Sequence, residues 1–381
     1  MNILHVAGAR PNFMKLAPIV SALERYDHVA QSVVHTGQHY DSRMSRIFFD
    51  ELCLSEPDYY LGVGSGSHAW QTAQVMLGLE PLLQELSPTV VVVVGDVNST
   101  LAAALVAVRL GIPVAHVEAG LRSFDGSMPE EINRVVTDRV STFLFTTEES
   151  GNRNLRNEGV PEGHIYFVGN TMIDTLSRHL QRAIERHAPQ RYGLMEGEYA
   201  LVTLHRPSNV DEPETLGTIG VALKRIAESM PVVFPTHPRT RSRLREFGLE
   251  QSLGRTILLD PLGYLDFLSL MASAHVVLTD SGGVQEETTA LGVPCRTLRP
   301  NTERPATVWT GTNRLVPLDA EAIVHAALTS AKPERTRLPE WWDGRAAERI
   351  ARVLAEARDR KPVSPHPHAR RTAKPVQLAQ P

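Results

Sequence analysis

Charged and polar residues in this chain sit directly after short apolar runs. Asp96 follows Thr89–Val94, Glu118 follows Pro113–Val117, His205 follows Tyr199–Leu204, and Asp280 and Ser281 follow Val276–Thr279. Short β-rich runs separated by helical stretches predict the parallel strands of α/β units. In open parallel sheets, ligands bind beyond the carboxyl ends of the strands. The pattern therefore aims two carboxylates, a histidine and a small-residue turn at one kind of place, a crevice that holds a ligand.

The alternation runs through the chain twice. Strands are predicted near 2–6, 30–35, 89–94, 113–117, 142–146 and 164–168, with helices over 13–25, 69–85 and 99–110. A second set is predicted near 199–203, 232–235, 256–259, 276–279, 294–298 and 314–316. The expected fold class is α/β, with two doubly wound Rossmann-like domains and a cleft between them. The break falls near Gly169-Asn170, dividing 1–169 from 170–360, and a helix over 171–186 opens the second domain. A last helix is expected over 339–358, and residues 361–381 read as a disordered, basic, proline-rich tail without acidic residues.

Composition narrows the class. The 381 residues suffice for two domains with a large core, 42% are hydrophobic, and the net charge of -4 provides no bulk basic field for nucleic acid. Cys53 and Cys295 give neither a disulfide framework nor zinc-ligand spacing, which fits a reducing compartment. No secretion signal and no run of membrane-spanning length is visible, so a cytoplasmic location is expected.

Four groups of residues stand out. The turn Gly8-Ala-Arg-Pro-Asn-Phe-Met-Lys15 follows the first strand and opens the first helix. A helix N-terminus offers free N–H groups to phosphate, and Arg10 and Lys15 would add charge. A turn with two solvated cations fits the same residues. The turn Asp280-Ser-Gly-Gly-Val-Gln-Glu-Glu287 repeats the arrangement. Ser281 can cap the helix, Gly282 and Gly283 admit a ligand to the backbone, and Glu287 suits ribose hydroxyls. A simple capping box is the alternative. Asp96, Glu118, Glu130 and Glu131 form an acidic set. Burying such acids at strand ends is costly without a reason, so either catalysis or pairing with Arg122, Arg134 or Arg139 explains them. His205, Arg206 and His237 end second-domain strands, where histidine shuttles protons or holds phosphate. No metal-ligand spacing accompanies them.

Taken together, residues 1–358 resemble the non-hydrolysing UDP-N-acetylglucosamine 2-epimerases, whose fold is that of the GT-B glycosyltransferases. The matching segments include Gly8–Lys15, Thr36-Gly-Gln-His39, Gly95-Asp96, His116-Val-Glu-Ala-Gly-Leu-Arg-Ser123, Met128-Pro-Glu-Glu-Ile-Asn-Arg134 and Gly169-Asn-Thr171. Leu204-His-Arg206, Thr279–Glu287 and Thr302-Glu-Arg-Pro305 complete the set. The resemblance implies that Asp96, Glu118 and Glu130 are catalytic acids supported by Arg134, and that His205 lies near the diphosphate. It implies that Arg10, Lys15, Ser281, Gly282, Glu287 and Arg304 bind UDP, with Phe267 beside the uracil. Gln38, Arg206 and His237 match positions of a substrate-activation site in some bacterial members. Asp41 and Trp70 depart from that site, where glutamine and arginine are expected, so activation by substrate is not expected here. Ala9, Asn12 and Arg139 are further departures.

The activity this implies is interconversion of UDP-GlcNAc and UDP-ManNAc by loss and re-addition of UDP, within a homodimer and without cofactor or metal. Rivals are a C2 epimerase of a related UDP-2-acetamido sugar such as a diacetamido uronic acid, a hydrolysing epimerase and a GT-B glycosyltransferase. A nucleotide-sugar sensor is the non-catalytic rival, and the three acids argue against it.

Overall fold

The computed structural model describes residues 1–37, 51–52, 54–333 and 337–357, without the Arg10 side chain. Two parallel sheets organise the described residues. The first holds β1 (Asn2–Ala7), β2 (Ala30–His35), β3 (Tyr59–Tyr60), β4 (Val90–Val94), β5 (Val114–Ala119), β6 (Phe143–Thr146) and β7 (Ile165–Phe167). Their spatial order is β3-β2-β1-β4-β5-β6-β7. The second sheet holds β8 (Ala200–Thr203), β9 (Val232–Pro235), β10 (Ile257–Leu259), β11 (Val276–Thr279), β12 (Cys295–Thr297) and β13 (Asn313–Leu315), in the order β10-β9-β8-β11-β12-β13. Each order reverses once, between β1 and β4 and between β8 and β11, and those reversals place the two crevices. The architecture is mixed α/β and doubly wound in both sheets, as the alternation predicts.

The central strands explain themselves. All five valines of β4 are fully buried, and β-branched residues suit a strand covered on both faces. The short β3 was not predicted, because two residues carry no period to read. It pairs with the end of β2, Val34 opposite Tyr59.

The chain leaves the first sheet at Gly169, whose φ is +88°. A Cβ there would lie 2.1 Å from the Trp341 carbonyl oxygen, so only glycine fits where the C-terminal segment returns. Asn170 then caps the Thr171–Ile184 helix, its Oδ1 accepting from the Met172 N–H at 2.9 Å. One apolar core joins Phe13, Met14 and Leu16 of the first half to Met172, Leu176, Leu268 and Val277 of the second.

The last helix spans Ala346–Glu356, shorter than the sequence pattern predicts. Trp341 and Gly344 adopt positive φ, which a helix cannot accommodate, so it starts only after them. Asp174 caps it, accepting from the N–H groups of Ala346 at 3.1 Å and Ala347 at 2.7 Å. Ala347, Ile350 and Leu354 of this helix pack beside Ile3, Ile19, Leu23 and Phe145 of the first half. The predicted tail, 361–381, lies outside the described residues. Among the described residues, no helix is long and apolar enough to cross a membrane.

Candidate active site

The first half contributes its carboxylates through strand ends and one helix. Asp96 lies just past β4, in a turn that begins at Gly95 with φ +70°. Its carboxylate bonds to the Arg134 guanidinium. Burial pushes the Asp96 carboxyl up, but Arg134, Lys15 and Arg304 outweigh that and hold it below its ordinary value. Glu118 is in β5, where its φ of +72° and a register shift between Val117 and Ala119 turn the side chain out of the regular pleat. Glu118 Oε2 accepts from Lys15 Nζ. Its Oε1 is buried with no hydrogen-bond partner and lies 3.8 Å from Arg304 Nη2.

The Pro129–Val140 helix presents the remaining acids. Arg134 reaches Glu131 at 2.6 Å as well as Asp96. Glu131 is committed locally. It accepts from the Ser123 N–H and hydroxyl, both at 2.9 Å, and from the Phe124 N–H at 3.0 Å, which fixes the loop before the helix. Glu130 is half-buried and faces the second half, 3.9 Å from Arg206 Nη1. Asn133 donates to the Asp96 carbonyl at 2.9 Å and so ties the helix to the β4 turn.

The second half answers with cations and a small-residue turn. His205 and Arg206 follow β8, and Asp280 fastens them. Its carboxylate accepts from the His205 N–H, the Arg206 N–H at 2.9 Å and Asn209 Nδ2 at 3.1 Å. His205 Nδ1 also lies 3.1 Å from Asp280 Oδ1. Asp280 is fully buried; desolvation works against its charge, yet the His205 contact and these N–H donors hold its carboxyl below the ordinary value. The His237 ring stands 6.1 Å from that of His205.

Ser281 occupies the N-cap of the Gly282–Leu291 helix but makes no capping bond with its side chain. Gly282 is crowded by its neighbours, since a Cβ would lie 2.5 Å from Arg304 Nη1 and would have to displace that side chain. Arg304 binds Glu286 at 2.8 Å and Glu303 at 2.5 Å, and so links the second half to Glu118 of the first. Glu287 accepts from the Tyr264 hydroxyl at 2.8 Å. Tyr264 opens the helix that carries Phe267, which is half-buried. Burial pushes Glu287 up to about 8 and Glu286 up to about 7, the latter despite its bond to Arg304.

The structure therefore gathers Asp96, Glu118, Arg134, Lys15 and Arg304 into one charged cluster, with Glu130 and Arg206 at its edge. Lys15 sits on Glu118 rather than standing free for phosphate. The N–H groups of Gly8 and Ala9 are also occupied, both donating to Asn12 Oδ1. Asn12 in turn donates to the Val94 carbonyl at 3.0 Å, which pins this turn to β4. Gln38 and Asp41 lie outside the described residues, as does the Arg10 side chain. Trp70 is exposed at the start of the His68–Leu86 helix, and Arg139 donates to the Glu158 carbonyl. Among the described residues, no group of three or more His, Cys, Asp or Glu side chains is placed to hold a metal ion.

Sequence reasoning passed over Glu303 and Glu286 as site residues. Glu303 is buried against Arg299 at 2.7 Å and Arg304, and its carboxyl is held far below the ordinary range because these arginines outweigh its burial. The available signal was its position inside the Thr302–Pro305 match, next to an arginine that itself needed a partner.

The family model described as UDP-N-acetylglucosamine 2-epimerase matches residues 21–355. The UDP-N-acetylglucosamine 2-epimerase of Methanocaldococcus jannaschii is 44% identical, covering 93% of this chain and 99% of its own. The UDP-2,3-diacetamido-2,3-dideoxy-D-glucuronate 2-epimerase of Pseudomonas aeruginosa is 41% identical, covering 93% of this chain and 100% of its own. The crystal structure of the M. jannaschii enzyme in complex with UDP-GlcNAc and UDP superposes with a TM-score of 0.87 at 43% identity, covering 93% of this chain and 100% of that one. The two sheets are thus those of the GT-B fold, and the chain belongs to the UDP-N-acetylglucosamine 2-epimerase family.

Proposed function

We propose that the chain inverts C2 of a UDP-2-acetamido sugar, interconverting UDP-GlcNAc and UDP-ManNAc. The observation that carries this reading is Glu118. One of its oxygens is held by Lys15, while the other is buried, unpartnered and 3.8 Å from Arg304. A carboxylate so placed suits a base that works beside an anionic leaving group.

The proton on C2 is not acidic, so inversion proceeds through loss of the C1 substituent. A carboxylate takes the C2 proton, those electrons form the C1–C2 double bond, and the C1–O bond breaks with its pair leaving on UDP. A proton then returns to the opposite face of C2, and the UDP oxygen re-forms the bond to C1. A base and an acid on opposite faces are needed, and Asp96, Glu118 and Glu130 supply the candidates, with Arg134 keeping Asp96 ionised. His205 and the N-terminus of the Gly282–Leu291 helix, with Ser281 and Gly282, hold the diphosphate. Arg304 adds its charge from below that helix, and Lys15 acts through Glu118. Glu287 takes the ribose hydroxyls and Phe267 flanks the uracil. Arg10 is assigned to UDP on the family resemblance alone, which also matches Gln38, Arg206 and His237, but not Asp41 and Trp70, to the substrate-activation site. We assign residues 1–169 and 170–360 to two lobes about this cleft, in a cytoplasmic homodimer.

The 41% identity to the P. aeruginosa enzyme favours a second reading, in which the sugar is a diacetamido uronic acid. Proton NMR in deuterium oxide decides between them. With UDP-GlcNAc, loss of the C2 proton signal and growth of a UDP-ManNAc anomeric signal is the expected outcome. Free ManNAc and UDP would indicate a hydrolysing enzyme. An unchanged spectrum, with exchange in the diacetamido uronate instead, would move the assignment to that substrate.

A further inference from the structure

We propose that Glu148 is a positioning residue for Arg304, holding the Arg304 segment across the boundary between the two sheets. This rests on the reading of the cleft as a UDP site. Glu148 follows β6 in the first half and precedes the Glu149–Asn157 helix. Its side chain does not cap that helix; it turns toward the second half and is 1% exposed. Oε1 accepts from the Ser150 hydroxyl and from the Ala306 N–H at 3.3 Å. Oε2 is buried with no hydrogen-bond partner.

The Ala306 N–H belongs to the first turn of the Pro305–Trp309 helix, which starts right after Arg304. One further contact crosses the boundary beside it, Arg153 standing over the Trp309 ring at 5.7 Å, while Trp342 of the returning C-terminal segment donates through Nε1 to the Thr147 carbonyl at 2.9 Å. The turn after β6 is thus the seat on which the Arg304 backbone rests. Through Arg304, that seat sets the distance between Glu118, Glu286 and the Gly282 turn.

A carboxylate in this seat would leave one oxygen desolvated and unpaired, whereas the protonated acid carries no buried charge. The charged groups facing it across the boundary are Arg304 and Glu303, which act in opposite directions. On its own helix, Glu149 is engaged by Asn152 and Arg156. Burial is the larger influence and pushes Glu148 up to about 7. Because the seated value lies above the ordinary 4.5, the seated form keeps a proton that a solvated carboxylate gives up. Seating is therefore favoured at low pH and loses that support as pH rises through about 7.

The test compares the full chain with Glu148→Gln, which keeps the shape and stays neutral at every pH, and with Glu148→Met as a second neutral variant. UDP binding by calorimetry and thermal melting are followed from pH 6 to pH 8. The expected result is that UDP affinity of either variant, relative to the native chain, rises about tenfold from pH 6 to pH 8. Native UDP binding with a flat ratio overturns the proposal, and a melting difference without an affinity difference does so too, since Glu148 is then only structural. If the native chain binds no UDP at any pH, the reading of the cleft fails and the proposal falls with it.

Discussion

Asp96 in the first half of the cleft and Glu287 in the second hold their carboxyls in opposite ways. In the first half, Asp96 meets Arg134 directly, and the cations around it keep it charged in spite of burial. In the second, Glu287 meets only the Tyr264 hydroxyl, and burial pushes it up to about 8. Burial and all the nearby charges together set the charge of such an acid: three cations act on Asp96, whereas the charge acting on Glu287 is that of Glu286, and Glu286 itself rises to about 7 although Arg304 touches it. The difference suits the two tasks we propose for them, since proton abstraction needs a carboxylate, whereas a neutral carboxyl can both donate to and accept from a sugar hydroxyl.

The same isosteric change made in each half tests this contrast most strongly. Asp96→Asn removes a charged group, and turnover measured by NMR is expected to fall by about 10²–10⁴-fold, the usual contribution of a general acid or base. UDP affinity by calorimetry should stay within about threefold, because uniform binding is untouched. Retained turnover would break the contrast at its charged end.

Arg304→Met addresses the cation that spans the halves. It strips Glu286 and Glu303 of their shared partner, and removing one member of a buried pair costs about 3–5 kcal/mol, read by denaturant unfolding. A loss below about 1 kcal/mol would mean that the carboxylates relieve themselves by taking up protons.

Gly282→Ala pushes a methyl group against Arg304 Nη1 without touching the first half. Overpacking of about 1–3 kcal/mol is expected to weaken UDP binding about tenfold or more. Activity at saturating substrate should suffer less than affinity.

Glu287→Gln should have the smallest effect. The native carboxyl is already largely protonated at pH 7, so UDP affinity there is expected to change by less than about threefold. The pH dependence carries the information. The value of about 8 lies above the ordinary 4.5, so the stability from neutral Glu287 is complete below pH 4.5 and lost as pH rises through 8. Thermal melting of Glu287→Gln should decline less over that range than that of the native chain. A large loss of UDP binding at pH 7 would place a charged Glu287 in the site and erase the contrast.

Much of this was legible in the residues. Runs such as Val90–Val94 and Val276–Thr279 read as strands rather than helices, because they are short and rich in stiff β-branched side chains. Position at a strand end was thus readable for Asp96, Glu118, His205 and Asp280, Glu118 being the penultimate residue of β5. Pairing was not legible. Lys15 and Glu118 are 103 positions apart, and nothing in either segment says that the lysine will hold the acid rather than a phosphate. The last helix starts later than the pattern predicts because Trp341 and Gly344 adopt positive φ where the chain packs past Gly169 and Ser177, contacts between distant segments.

The sequence by itself determined the two α/β halves and the strand-end placement of the residues proposed for the chemistry, since periodicity and turn residues are local properties. Only the tertiary structure decided which acids are charged, that Arg304 joins the halves, and that Glu131 and Asp280 hold loops in place. These follow from desolvation and from charges brought together by folding, and neither quantity exists until the chain has closed on itself.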